Sequence, residues 1–271
     1  MIRINQIKLD IGTDEKILNS KIQKLLRLKN SSFTYSIVKK SIDARKKEHI
    51  MYIYSVDVKV DGIDETALVR KLNNKDIIIN KNIKYVFPQI KDTNKNKKIA
   101  IIGSGPAGLF CGLLLARAGF KPVIYERGGN VHERTGIVNA FFETGVLDTE
   151  TNIQFGEGGA GTFSDGKLNS VIKEKDGRIR KVLETFVEFG ANPEILYVNK
   201  PHVGTDVLSV VVSNIRNEII RLGGTVNFNS KVTDIYIDTG KITGIRVNDE
   251  YDEEFNAVVL APGHSAGILL R

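Results

Sequence analysis

The chain has 271 residues, of which 41% are hydrophobic, so it is long enough for two domains with apolar cores. Its formal net charge is +7, and Cys111 is its single cysteine. One cysteine excludes an internal disulfide framework and a redox-active pair within the chain, which argues against a dithiol reductase. No apolar run approaches the roughly 18 residues that span a bilayer, and the N-terminus lacks a signal-peptide core. We therefore expect a cytoplasmic protein without a membrane span.

Positive charge is concentrated in the first third of the chain. Residues 1 to 98 contain 22 Lys and Arg against 11 Asp and Glu, a net of +11, whereas residues 99 to 271 contain 17 against 21, a net of −4. The charge changes sign at the polar stretch 92–98, which has no apolar period and is typical of a linker. We predict a basic domain over residues 1–92, a linker over 93–98 and a second domain over 99–271.

The first domain has the element order of the ferredoxin-like, or split βαβ, fold. Tyr52 and Tyr54 share one strand face with valines, so we expect both rings to pack in the core. Apolar periodicity predicts strand 3–9, helix 14–28, strand 33–42, strand 52–60, helix 64–72 and a strand that ends at 85–87.

Some RNA-binding domains share this element order, and the basic charge makes a nucleic acid an alternative partner. The predicted strand 52–60 lacks the Gly-aromatic signature of such domains, so this partner is not favoured. The cluster Arg45-Lys46-Lys47 lies at a predicted hairpin tip, where solvated charge explains it. A docking surface for an acidic partner is the other alternative.

The second domain begins with the pattern of a dinucleotide-binding site. The apolar run 99–102 predicts a buried parallel strand, and an apolar helix is predicted over 107–118. Between them, Gly103 permits a tight turn, Gly105 lets the backbone approach a pyrophosphate, and Gly108 lets the helix pack on the strand. The helix N-terminus directs its N–H groups and positive dipole end at the phosphates.

Glu126 ends the next predicted strand, 121–126, and lies 23 residues after Gly103. This spacing is typical of a carboxylate that accepts hydrogen bonds from a ribose 2′-OH. An acidic side chain repels a 2′-phosphate, so the residues favour FAD or NAD over NADP. An ordinary strand-turn-helix unit without a ligand is the alternative.

A second G-x-G-x-x-G pattern, over 156–161, has a different context. Residues 152–155 make a poor buried strand, and Ser164-Asp165-Gly166 ends any helix, so we interpret the segment as a mobile glycine-rich loop. Its successive N–H groups form a candidate anion-binding or flavin-contacting concavity. A plain surface loop is the alternative.

After this loop, the pattern predicts a helix over 205–222 with a threonine cap, strands over 225–228 and 231–238, and a hairpin into 242–247. An apolar strand from 257 ends in Leu260-Ala-Pro-Gly263. This end resembles the late strand of the glutathione reductase superfamily, which returns beside the first strand near the cofactor. We predict an α/β protein whose second domain is Rossmann-like, with three layers, a parallel sheet and a β-meander.

Taken together, several stretches resemble a family of FAD-dependent dehydrogenases that carry a ferredoxin-like N-terminal domain. They are 41–47, 103–108, 126–128, 152–168, 200–205 and 260–264. The resemblance implies FAD rather than NAD as the tightly held cofactor, with Glu126 on the adenosine ribose and Gly103 to Gly108 on the pyrophosphate. It implies no known substrate. Members of this family continue well beyond the equivalent of Arg271, so we expect a fragment or an abbreviated version.

Two histidines and two arginines are further candidates for the site. His202 and His264 adjoin turns in matching motifs and are candidate catalytic acid–base groups. Arg127 and Arg134 follow the ribose carboxylate and are candidates for contacts with phosphate or adenine. Packing, turn capping and surface ion pairs are the alternatives. No His or Cys cluster has metal-ligand spacing.

The sequence thus predicts an FAD-dependent oxidoreductase that acts on an unidentified small molecule, with NADH or NADPH as candidate reductant. A flavin enzyme acting on RNA and a non-catalytic nucleotide-binding scaffold are the alternatives. The candidate cofactor-binding residues are Gly103, Ser104, Gly105, Pro106, Ala107, Gly108, Glu126, Arg127, Arg134, Gly158, Gly159, Ala160, Gly161, Val232, Ala261 and Gly263.

Overall fold

The computed structural model describes residues 1–29, 31–81, 83–90, 96–164, 166–168, 172, 174–199 and 201–263. The chain divides into two compact units. The first contains Met1–Tyr85, Leu168–Thr185 and Asn192–Pro201, and the second contains Val86–Lys167, Phe186–Ala191 and the residues from His202 onward. Within the described ranges, no helix is long and apolar enough to cross a membrane.

The N-terminal part of the first unit, Met1–Tyr85, consists of an antiparallel four-stranded sheet and two helices. The elements are β1 (Ile2–Asp10), α1 (Ile17–Leu25), β2 (Phe33–Asp43), β3 (Met51–Val60), α2 (Glu65–Leu72) and β4 (Ile77–Ile79). Their chain order, β-α-β-β-α-β, is the predicted one, and their order in the sheet is β2-β3-β1-β4. Helix α2 begins after Asp64, whose carboxylate accepts hydrogen bonds from the N–H groups of Thr66 and Ala67.

The two tyrosines of β3 pack in the core of this unit, as predicted. Tyr54 is 1% exposed, and its hydroxyl donates to Glu15 Oε1 at 2.9 Å. Tyr52 packs, partly buried, against the same apolar cluster. Neither ring is displayed as the stacking aromatics of an RNA-binding sheet are.

The last strand of this part was predicted to end at 85–87, but that end is wrong, since the strand occupies Ile77–Ile79. These three β-branched residues pair antiparallel with Ile2 to Ile4 of β1. The N–H of Asn80 then donates to the carbonyl of Met1 at 3.0 Å.

A parallel sheet forms the centre of the second unit. Its strands are β5 (Ile99–Ile102), β6 (Val123–Tyr125), β7 (Thr225–Asn227) and β11 (Ala257–Leu260), in the order β11-β5-β6-β7. Strand β5 is buried along its whole length, which is why its sequence is uninterruptedly apolar. Strand β11 pairs parallel with β5, as the resemblance implies.

The sheet has helices on one side and a meander on the other. Helices α3 (Pro106–Arg117) and α6 (Thr205–Arg221) meet at Gly112, where a Cβ would lie 2.7 Å from Ile124 Cδ1 and 3.2 Å from Ile219 Cδ1. Strands β8 (Val232–Asp238), β9 (Lys241–Val247) and β10 (Tyr251–Glu254) form the antiparallel meander. Its buried residues pack against the sheet residues Ala100, Ile102 and Tyr125.

Two helices have no counterpart in the sequence prediction, α4 (Val131–Thr144) and α5 (Arg178–Glu188). Helix α4 begins with a capping box between Asn130 and Glu133, a signal that the sequence does contain. The predicted threonine cap of α6 is wrong, since Gly204 is the N-cap and Thr205 is the first helical residue. Short 3₁₀ helices occupy Gly159–Phe163 and Pro193–Leu196.

We expect Asp57→Ala to destabilise the first unit by about 1–3 kcal/mol, because it removes a buried acceptor and leaves the partly buried donors of Arg3 and Asn80 without a partner. Asp57 is 4% exposed and accepts hydrogen bonds from Arg3 at 2.8 and 2.9 Å and from Asn80 at 3.0 Å, which ties β1, β3 and the end of β4 together. Urea unfolding followed by circular dichroism measures the change.

The matched control is Glu184→Gln, which removes the exposed ion pair with Arg180. Its expected cost is about 0–1 kcal/mol. An Asp57→Ala variant as stable as this control would show that the buried network contributes little.

Candidate functional site

A cavity of about 670 Å³ lies at the carboxyl ends of β5, β6 and β11 in the second unit. This volume is in the range of ligand pockets, and this edge of an open parallel sheet is where such sheets bind ligands. The lining residues are Ile102, Gly103, Gly105, Pro106, Ala107, Tyr125, Glu126, Arg127, Gln154, Phe155, Gly156, Gly159, Ala160, Ser230, Lys231, Val232, Thr233, Asp249, Leu260, Ala261, Pro262 and Gly263.

Gly103 forms the turn between β5 and α3 and can only be glycine. Its φ of +101° is disfavoured for L side chains, and a Cβ would lie 2.4 Å from the carbonyl oxygen of Ala261. Its N–H donates to the carbonyl of Tyr125 at 2.8 Å, and the N–H of Ala261 donates to the carbonyl of Ile102 at 2.9 Å. The turn is therefore held between β6 and the end of β11.

Gly108 and Gly105 meet different surroundings. A Cβ on Gly108 would lie 1.9 Å from the carbonyl oxygen of Gly103, so the helix packs directly on the turn. Gly105 lines the cavity as the N-cap of α3, with Pro106 after it, and a Cβ there would meet nothing within 4 Å. The N-terminus of α3 therefore faces open space with exposed backbone, which suits an anion.

Glu126 places a buried carboxylate at the same cavity. It is 5% exposed, and its Oε2 accepts hydrogen bonds from the N–H and the hydroxyl of Ser104 at 2.8 and 2.9 Å. Its Oε1 accepts the N–H of Gly128 at 3.0 Å. An ionised carboxylate has about four acceptor positions, so Glu126 retains capacity for one more donor from the cavity.

Arg127 and Phe155 form one rim of the cavity. The Arg127 guanidinium lies 4.1 Å from the centroid of the Phe155 ring, and its Nε donates to Glu150 Oε2 at 2.6 Å. Lys231, another lining residue, donates to the other oxygen of Glu150 at 3.2 Å. Arg127 therefore lines the cavity beside Glu126 and also forms the ion pair that was the alternative interpretation of this residue.

Arg134 has a place that the sequence did not indicate. It is fully buried on α4, and its guanidinium holds residues 152–163, which we call the glycine loop. Burial lowers the pKa of this guanidinium to about 10, so it is charged at neutral pH. At 2.7–2.8 Å it donates to the carbonyls of Asn152, Ile153, Glu157 and Gly159 and to the Thr162 hydroxyl.

Glu157 ties the same loop in the opposite direction. Its side chain is fully buried, and Oε2 accepts the N–H of Val131 at 2.9 Å and pairs with Arg216 Nη1 at 2.7 Å. Burial raises the pKa of this carboxyl, although the bond from Val131 and the charge of Arg216 oppose the shift. Among the described residues Oε1 has no partner, which costs about 1–3 kcal/mol.

The glycine loop and the Gly103 turn meet at the cavity. The N–H of Gly158 donates to the carbonyl of Ser104 at 2.9 Å. Gly159 has a φ of +64°, and a Cβ there would lie 3.2 Å from Pro106 Cδ. The loop that the sequence presented as a second, separate glycine pattern is therefore one wall of the same site.

Most of the candidate cofactor-binding residues lie in the cavity lining. Ser104, Gly108, Gly158, Gly161 and Arg134 are not among the lining residues that the structure describes and support them instead. His202 is exposed, forms a backbone bridge with Lys167 and also lies outside that lining. His264 lies outside the described residues.

Sequence reasoning missed several lining residues, which belong to no motif. Ser230 and Lys231 precede β8, Thr233 lies within it, and Asp249 follows β9. The packing of the meander on the parallel sheet brings them to the cavity. Gln154 and Phe155 precede the second glycine pattern and were interpreted as a poor strand.

Comparison with known proteins gives two family matches. Residues 97–270 match the family described as pyridine nucleotide-disulphide oxidoreductase, and residues 1–59 match a family described as a domain of unknown function. An uncharacterized protein of Clostridium beijerinckii is 45% identical over 267 residues, which cover 98% of this chain and 49% of that protein. The chain therefore spans about half the length of that relative.

Two further proteins match over shorter or more divergent regions. Thioredoxin reductase of Pneumocystis jirovecii is 36% identical over 80 residues, which cover 30% of this chain and 21% of that protein. The crystal structure of Thermovibrio ammonificans THI4 is 21% identical, with a TM-score of 0.39, over 64% of this chain and 60% of that chain.

We expect losses of unfolding free energy of different size when Gly103 and Gly105 are each replaced by alanine. Gly103→Ala combines a positive φ with a clash against Ala261, so we expect a loss of at least about 2 kcal/mol in unfolding free energy. Gly105→Ala meets open space at a φ of −66°, so we expect a loss within about 1 kcal/mol. Thermal and urea unfolding of the unliganded chain measure both. Equal losses would contradict the described turn geometry.

Proposed function

Because the chain belongs to the pyridine nucleotide-disulphide oxidoreductase family, we propose that it is the dinucleotide-binding part of an FAD-dependent oxidoreductase. The observation that carries this proposal is one cavity at which open backbone at Gly105, the N-terminus of α3 and the buried carboxylate of Glu126 converge. A phosphate and a ribose hydroxyl are the groups that such an arrangement recognises together.

The residues present fit FAD at two points. The backbone of 103–108 and the positive end of α3 would hold the pyrophosphate without any basic side chain. Glu126 would accept a hydroxyl of the adenosine ribose with its remaining acceptor position, while Ser104 and Gly128 keep the carboxylate oriented. Arg127 and Phe155 would border the adenosine end.

Bound FAD supplies the hydride chemistry, and this chain supplies binding, orientation and exclusion of water. Cys111 is the single cysteine of the sequence, and burial raises its pKa, so no thiolate pair of this chain takes part. A small-molecule substrate and NADH or NADPH as reductant remain part of the proposal. His202 and His264 remain its proposed acid–base groups.

We further propose that the first unit is a ferredoxin-like domain. Its support is the chain order β-α-β-β-α-β combined with the antiparallel sheet order β2-β3-β1-β4. This scaffold does not itself declare a function.

We expect the purified chain to retain added FAD through gel filtration and to show flavin absorption bands. Gly105→Ala is expected to weaken FAD binding at least about tenfold, equivalent to about 1.4 kcal/mol, because its methyl group occupies the place of the pyrophosphate. Titration of flavin fluorescence measures the affinity, and the nearly unchanged stability of this variant separates binding from folding. A wild-type chain that retains no flavin would contradict the cofactor proposal for this chain.

A second test uses the charge of Glu126. We expect ADP-ribose to bind at least about tenfold more tightly than its 2′-phosphorylated form, because the buried carboxylate repels a second anion. Glu126→Gln should reduce this ratio, while Glu133→Gln, which alters only the cap of α4, should preserve it. Calorimetric titration of both ligands gives the ratio. An unchanged ratio in Glu126→Gln would remove Glu126 from the ribose site.

A further inference from the structure

We propose that Glu157 and Arg216 are positioning residues, whose buried ion pair acts with Arg134 to hold the glycine loop in its cavity-forming shape before any ligand binds. These three residues act through the loop, since none is among the described residues that line the cavity. What the proposal says about FAD rests on the function proposed above, whereas what it says about the loop does not.

The loop is tied to its neighbours in both directions. Arg134, in the first turns of α4, reaches into the loop and donates to its carbonyls. Glu157 reaches out of the loop, to the N–H of Val131 at the start of α4 and to Arg216 on α6. A displacement of the loop would therefore break bonds to two helices at once.

Stability alone is a poor explanation for the ion pair between Glu157 and Arg216. Glu157 is fully buried, Arg216 is 15% exposed at its side chain, and Oε1 of Glu157 has no partner among the described residues. Buried ion pairs are often replaceable by apolar side chains without loss of stability. The arrangement does supply directional bonds that place the loop backbone, which an apolar contact would not.

The glycines of the loop bring its backbone to the cavity, in addition to Gln154 and Phe155. Gly156, Gly159 and Ala160 line it, and Gly159 packs beside Pro106 at the start of α3. Gly156 also leaves the room that the Arg134 side chain occupies, since a Cβ there would lie 2.5 Å from Arg134 Cδ. The bonds made by Arg134, Glu157 and Arg216, which we call the clamp, therefore set the distance between the loop and the proposed pyrophosphate position, a form of preorganisation.

Hydrogen exchange of the unliganded chain, read by mass spectrometry, tests the clamp directly. In Glu157→Gln we expect amides of 152–163 to exchange at least tenfold faster, while amides of β1 and β3 in the first unit keep their wild-type rates. Arg216→Gln should give the same local increase. The double variant should add little to either single change, because both remove one interaction.

Arg221→Gln is the matched control. It removes an exposed ion pair with Glu218 from the same helix, α6, and should leave the loop amides unchanged. Should Glu157→Gln fail to fold, Arg216→Lys keeps the positive charge and should give loop exchange between wild type and Arg216→Gln. Unchanged loop exchange in the single variants, or an equal increase throughout the chain, would overturn the proposal.

Titration of the same variants with FAD separates this proposal from the proposed function. We expect the FAD dissociation constant of Glu157→Gln to rise at least tenfold. Unchanged affinity in a variant with a loosened loop would overturn the positioning role. A wild-type chain that takes up no FAD, but whose loop responds as described, would contradict the proposed cofactor and leave the clamp supported.

Discussion

Close approach of three backbone segments at Gly103 is the constraint on which the second unit depends. The turn packs against Ala261 at the end of β11, and Gly108 of α3 packs against the carbonyl of Gly103. The N–H of Gly103 donates to the carbonyl of Tyr125 at the end of β6. Any side chain at Gly103 or Gly108 would separate these elements. Because the contacts are between backbones, the carboxyl ends of three strands and the start of a helix converge on one small volume.

Around this point, buried charged side chains form hydrogen bonds with backbone groups and not only ion pairs with other side chains. The Glu126 carboxylate accepts the N–H groups of Ser104 and Gly128. Arg134 donates to carbonyls of the glycine loop, and Glu157 accepts the N–H of Val131 at the start of α4. Burial removes each charge from water, and these hydrogen bonds offset the free-energy cost of that removal. Irregular, glycine-rich backbone can therefore line a cavity without regular secondary structure of its own.

The residues that sequence reasoning placed well are those whose roles are local. The apolar run of β5, the glycine spacing and Glu126 all belong to one consecutive strand-helix-strand segment, β5-α3-β6, and the structure brings them to one cavity. The failures have equally local causes. The strand Ile77–Ile79 is too short to show a period of two, so its position was predicted wrongly. Helix α4 was not predicted, although the sequence contains its capping box.

By itself, the sequence determined the βαββαβ order of the N-terminal part of the first unit, the glycine turn of the second, and the presence of a carboxylate near that turn. These depend on residue type and short spacing. Only the tertiary structure decided that the glycine loop joins that turn, that Arg134 serves the loop, and that residues 168–185 and 192–201 belong to the first unit. Such pairings join residues far apart in the chain, and they depend on packing and buried hydrogen bonds that no periodic pattern records.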